Sequence, residues 1–239
     1  MSARERWLSA AALFAYAAPF SYAYLRVGAA IGALVLFATV QVTMLTWAVV
    51  QGERPSVVGW LGSAVALGGL AVLTIPGKSA PDPWGTLGMV VAGFAWAVYS
   101  LRGRTVQGDP IVNTSASFAR SLPFVVVLLG VAAATTEFHV TRRGMLLAAT
   151  SGAIASGVGY SVWYAALRHL SATRAAVLQL IVPILAAMGA VAFLGESIST
   201  RVAIASLAIV GGVAATIWAR AGKLTASQRP PEDGTIEGS

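Results

Sequence analysis

The chain reads as an all-α polytopic membrane protein. It has eight transmembrane helices from an inverted repeat of five-helix units, the first unit cut short at its N-terminus. Composition gives the class: 57% of the 239 residues are hydrophobic, only 10% are charged and mean hydropathy is +0.76, where a soluble domain carries about a quarter charged residues. Apolar stretches long enough to cross a bilayer follow one another along almost the whole chain. Finally, the segment from Leu25 to Gly69 is echoed by Leu167 to Gly212. Gly52-Glu53 and Gly195-Glu196 are 143 residues apart, as are Gly68-Gly69 and Gly211-Gly212, and the Leu-Arg pairs that open each copy are 142 apart. Two hydrophobic units repeated in one chain point to a duplicated membrane transporter fold.

Eight spans are expected, near residues 7–25, 29–50, 57–75, 84–101, 115–135, 144–166, 172–194 and 201–219. Pro- and Gly-containing connections such as Gln51-Gly-Glu-Arg-Pro55 and residues 76–83 end the helices between them. The first apolar run has no small-residue cleavage site and reads as a span rather than a removable signal peptide. Residues 1–77 then hold the truncated first unit with three spans, and residues 84–219 the second with five. Polar residues 220–239, with Pro230-Pro231, are expected to be a disordered cytoplasmic tail. On this count the chain is two helices short at its N-terminus.

Loop charge orients the chain. With the N-terminus cytoplasmic, Arg4, Arg6, Arg54, Arg102, Arg104, Arg168, Arg174, Arg220, Lys223 and Arg229 lie inside. Arg26, Lys78, Arg142, Arg143 and Arg201 lie outside. Cytoplasmic loops carry the excess of basic residues, so both termini are expected in the cytoplasm and the protein in the cell (inner) membrane. Gly52-Glu53 and Gly195-Glu196 then fall at opposite faces, as an inverted repeat requires, with a solute path between the units near the midplane. The net charge of +7 is scattered singly through loops, which gives no nucleic-acid patch.

Candidate solute contacts are the polar and aromatic groups inside spans. Pro183 removes the donor for the Gln179 carbonyl. A free carbonyl and a side-chain amide would then share one helix face, tolerated at that depth where they meet protein or a water-filled cavity; helix–helix hydrogen bonding is the competing reading. Pro19 similarly frees the Ala15 carbonyl beside Tyr16, and Gln41 is the polar residue of the second span. Trp96 and Tyr99 share a helix face, and Tyr160, Trp163 and Tyr164 form a second aromatic cluster; a cavity wall and ordinary packing both fit them. Trp7, Trp47, Trp60, Trp84 and Trp218 fall at span ends, where interfacial belts place them. Arg120 lies within a span, as a charge contact or gate, or as an anchor reaching the cytoplasmic face. Glu53 and Glu196 read as helix-end carboxylates paired with a loop arginine such as Arg54 or Arg201; a midplane carboxylate suited to proton relay is absent from the spans. Small residues at Gly88, Gly93, Gly152, Ser156, Gly157 and Gly159 permit close helix approach.

Taken in order, Gly52-Glu-Arg-Pro55, Gly68-Gly69 with Pro76-Gly77, residues 93–99 (GFAWAVY), 151–157 (SGAIASG) and 163–167 (WYAAL), and Pro183 with Gly195-Glu196 resemble the drug/metabolite transporter superfamily, specifically its EamA-type transporters, over residues 8–219. The resemblance implies ten spans in two five-helix units, of which the first two are missing here, and export of a small solute. Arg120 also matches an arginine common in the second helix of such units.

A secondary transporter of a small metabolite, amino acid or drug-like solute is therefore expected, working by alternating access. The alternative is a non-transporting remnant, or a subunit that needs a partner to complete its bundle. The expected partners are the lipid bilayer and a small solute, with a homodimer as a candidate assembly and no nucleic acid. No catalytic signal is present: there is no Gly-x-Ser-x-Gly, no P-loop, no paired carboxylates and no Cys. His139 and His169 have no partner cluster, so neither a metal nor another cofactor is expected.

Overall fold

The computed structural model describes residues 3–52, 56–74, 81–103, 109–135, 140–159, 162, 166 and 181–227. Among these residues the chain forms eight α-helices and no strand. They are α1 (Ala3–Val27), α2 (Ala29–Val50), α3 (Val57–Thr74), α4 (Pro83–Gly103), α5 (Pro110–Thr135), α6 (Arg142–Thr150, continuing as a π-helix over Ser151–Val158), α7 (Ile181–Leu194) and α8 (Thr200–Ser227). Five are long and apolar enough to cross a membrane, and Val57–Leu73 and Val182–Leu194 are shorter apolar helices. Helices are what an apolar chain must form in lipid, because each satisfies its own backbone. Large apolar side chains lie exposed along them, including Val126, Val127, Val131 and Leu207; on a spanning helix such side chains face lipid.

Two helix ends differ from the sequence expectation. α5 begins at Pro110, five residues earlier than expected, because proline suits the first turn of a helix and the Asp109 carboxylate accepts from the Ile111 amide at 2.8 Å. α8 runs on to Ser227, eight residues into the stretch expected to be disordered. The sequence from Ala219 to Ala226 is rich in Ala, Lys, Arg and Leu, which are good helix formers, and no proline interrupts it before Pro230.

The packing centres on antiparallel α3 and α8. A Cβ on Gly212 would fall on the Gly62 carbonyl oxygen and 2.6 Å from the Ala66 nitrogen; one on Gly62 would lie 2.5 Å from the Gly212 carbonyl oxygen. The backbones therefore touch at a point only glycine permits. The 143-residue offset carries Gly62 to Ala205 and Gly212 back to Gly69, and Gly69 lies against Ala205 and Ala208. Ala66 and Ile209, themselves 143 residues apart, are buried between the two contacts. Of each glycine pair marked in the sequence, the second residue packs, while Gly68 and Gly211 meet nothing within 4 Å among the described residues. Beside this crossing Thr216, fully buried, donates to the Gly212 carbonyl at 2.9 Å and lies 3.3 Å from the Ser63 hydroxyl.

The second close pair is α1 and α4, also antiparallel. Gly88 sits against Ala23 and the Pro19 carbonyl of α1, and Gly93 against Leu36 and Thr39 of α2. Helices α2 and α4 run in the same direction, since Gly32 meets Met89 and Gly93 meets Leu36. Small residues thus work as expected at Gly88 and Gly93. At the Gly152/Ser156 pair, Ser156 is half-buried, and among the described residues the nearest atoms a Cβ on Gly157 or Gly159 would meet are carbonyls of the same segment.

Candidate functional site

At one end of the bundle the C-terminus of α1 meets the N-terminus of α4. Arg26 Nη1 lies 3.2 Å from both Asp82 oxygens, and its guanidinium stands over the Tyr22 ring at 4.9 Å. Asp82 also caps α4, accepting from the Gly85 amide at 2.6 Å. That backbone bond, with Arg26 after it, holds the carboxyl below its ordinary 3.8. A depressed carboxylate contributes its stability above the ordinary pKa and loses it as pH falls through the folded one. Wild-type protein is therefore expected to lose more thermal stability than Asp82→Asn when purified samples are moved from pH 5 to pH 3.

The same end carries a contact of α2 with the segment after α7. Gly195, at φ +66°, turns the chain, and the Glu196 amide donates to the Ala190 carbonyl at 3.1 Å. The Glu196 carboxylate then accepts from the Ala29 amide at 2.7 Å and the Ala30 amide at 3.3 Å. Its partners here are the free amides of a helix N-terminus, not the loop arginine expected from sequence. Arg201 donates instead to the Val72 carbonyl at 2.8 Å. A carboxylate at a helix N-terminus satisfies donors that have no partner inside the helix, and α2 needs one because its own N-cap, Gly28, has no side chain. Gly52, at φ +85°, makes the equivalent turn at the opposite end of the bundle. Glu53 lies outside the described residues.

At that opposite end Arg102 of α4 reaches α1, with Nη2 donating to the Glu5 carbonyl at 3.1 Å and Nε 3.5 Å from the Ser9 hydroxyl. The pair α1 and α4 is thus tied at both ends. Trp7, Trp47 and Trp60 lie towards the Arg102 end and Trp84 towards the Arg26 end; these four and Trp218 are all exposed, as a belt requires.

Between the two ends the structure brings three of the sequence-selected residues together. Tyr16 and Trp96 have ring centroids 4.8 Å apart, Trp96 and Tyr99 5.9 Å, and Tyr16 and Phe20 5.6 Å. Tyr99 points its hydroxyl at Thr114 Oγ1 of α5, 3.5 Å away. Thr114, Ser117 and Ser121 are all buried and share one helix face, a polar stripe that sequence reading missed although its spacing of three and four was visible. Arg120 follows on the same helix, half-buried, with Nη1 donating to the Ala116 carbonyl at 3.1 Å. Because α5 starts at Pro110, Arg120 stands about 15 Å along it. One turn further on, Phe124 packs against Trp7 and Phe14 of α1, with ring centroids 6.1 and 5.5 Å away. Among the described residues Arg120 is the charged side chain farthest from a helix end. Pro123, also overlooked, breaks the hydrogen-bond ladder one turn beyond.

Gln41 is partly buried on α2, and no contact joins it to the aromatic group. Pro183 is buried in the first described turn of α7. Gln179, Tyr160 and Trp163 lie outside the described residues. No cluster of three or more metal-ligating side chains occurs among the described residues.

Spanning apolar helices, packed through glycine contacts around a polar, aromatic interior, define a multi-pass membrane protein. Known proteins then give the family. The EamA-like transporter family model matches residues 83–218. An uncharacterized protein of Pseudomonas aeruginosa is 45% identical over 221 residues, covering 92% of this chain and 76% of that protein. An uncharacterized transporter of Archaeoglobus fulgidus is 28% identical over 204 residues, covering 81% and 69%. One from Clostridium kluyveri is 27% identical over 190 residues, covering 75% and 61%. A solved structure, described only as the crystal structure of a protein, superposes with TM-score 0.62 at 20% identity, over 93% of this chain and 79% of that one; it supports the fold alone. The chain belongs to the EamA-like transporter family, and is a membrane transporter.

Proposed function

We propose that the chain is a secondary transporter of the inner membrane, with both termini in the cytoplasm, that exports a small solute carrying an anionic group. The observation that carries this is the placement of Arg120 within α5, on the helix that Tyr99 contacts through Thr114. An ionisable residue within a spanning helix is costly and marks a solute or ion path. The rings of Tyr16, Trp96 and Tyr99 supply an apolar wall, and the Thr114–Ser117–Ser121 stripe supplies hydroxyls. A carboxylate or phosphate would pair with the guanidinium, and the organic part would lie on the rings. Small metabolites, amino acids and acidic drug-like molecules meet that description. Alternating access then follows from one unit rocking on the other across the α3–α8 contact.

Binding tests the assignment before any flux is measured. A panel of carboxylate, phosphate, neutral and cationic solutes is screened for a rise in melting temperature of the purified protein. Anionic amphipathic members are expected to stabilise it, and Trp96→Ala to abolish the shift while the unliganded protein keeps its elution profile. Stabilisation by cations alone would refute the anion assignment.

A further inference from the structure

We propose that Glu196 is the latch of a gate at the Arg26 end, closing the seam between α2 and α7; the inference rests on the transporter reading. The seam is thin. Among the described residues the cluster buried at this seam is Ala29, Ala30 and Ala190, with Ala187 packed against them, small side chains that each bury little apolar surface. Two other helix pairs are fastened differently. Helices α3 and α8 touch backbone to backbone at Gly62 and Gly212, and α1 and α4 are tied at both ends by Arg26–Asp82 and by Arg102. What holds α2 to the tip of α7 is the carboxylate of Glu196 on the amides of Ala29 and Ala30.

The surroundings are shaped for that contact. Gly28 leaves the N-terminus of α2 without a side-chain cap, so its amides are open to a group from another helix. A Cβ at Gly28 would stand 2.7 Å from Glu196 Oε1, so a larger residue would push the carboxylate away. Gly195, in the left-handed region, aims Glu196 back across α2. A polar tie of two bonds across an alanine seam can break and re-form without unpacking a core, which a gate in a two-state transporter needs.

The test uses the absence of Cys from the sequence, so an introduced thiol is labelled alone. Ala190→Cys, in purified full-length protein, is reacted with a membrane-impermeant maleimide in three backgrounds: wild type, Glu196→Gln and Gly28→Ala. Labelling is expected about tenfold faster in both variants, since either one weakens the latch, from opposite sides. Ala92→Cys, in the core cluster, should stay protected throughout. Unchanged labelling at position 190 in both variants overturns the proposal. Equal acceleration at positions 92 and 190 also overturns it, because Glu196 would then hold the whole fold rather than a gate. Labelling requires no solute, so a protein that gates but moves nothing would refute the transporter reading and leave the latch standing.

Discussion

Gly212→Leu is expected to cost about 3 kcal/mol of stability, the upper end of the usual overpacking range, and to lower the melting temperature of the purified protein by about 10 °C. The reason is local. A Cβ at position 212 meets the Gly62 carbonyl and the Ala66 amide nitrogen, and backbone cannot move aside as a flexible side chain can. Separating α3 from α8 would also strain the Thr216 and Ser63 hydroxyl contacts buried beside the crossing. The neighbouring substitution is the control. Gly211 faces open space, so Gly211→Leu should be neutral to within about 0.5 kcal/mol. Comparable losses at both positions, measured by thermal unfolding in detergent, would show that the Gly62–Gly212 crossing is not where the helices hold each other.

Arg120→Ala is expected to reduce transport of an anionic solute roughly a hundredfold, since truncating one partner of a buried charge pair costs about 2–5 kcal/mol. The melting temperature should change little, because among the described residues the guanidinium bonds to the Ala116 carbonyl of its own helix. Arg120→Lys should recover part of the rate, as it keeps the charge but loses the planar fork that grips a carboxylate. A variant that transports anions at the wild-type rate would remove Arg120 from the solute path. A fall for neutral and anionic solutes alike would make it structural.

Much of the architecture was legible because lipid leaves a sequence few options. Apolar runs of the right length must be helices, and the glycine of each Gly-Glu pair marks a turn: Gly52 and Gly195 both have positive φ. Partners were less legible. Glu196 caps α2 across a separation of 167 residues, and nothing in its own surroundings names Ala29. A carboxylate beside an arginine reads as an ion pair until the amides of another helix are brought to it. The 143-residue offset did hold the α3–α8 contact: applied to Gly62 and Gly69 it returns Ala205 and Gly212. The Gly-Gly pairs drew attention while Gly62, a lone glycine two turns earlier, did not. In the aromatic group, Trp96 and Tyr99 came from helical spacing and Tyr16 from the proline that follows it. The start of α5 was placed five residues late because it is set by Asp109 and Pro110, residues that read as loop.

The most direct test of the account is flux. The purified chain is reconstituted into liposomes, and uptake is followed for a panel of small anionic, neutral and cationic solutes, with Gly212→Leu and empty liposomes as controls. The account predicts saturable movement of at least one anionic solute by the wild type, lost in Arg120→Ala. Movement of none of the panel, by protein that remains folded and correctly inserted, would contradict it.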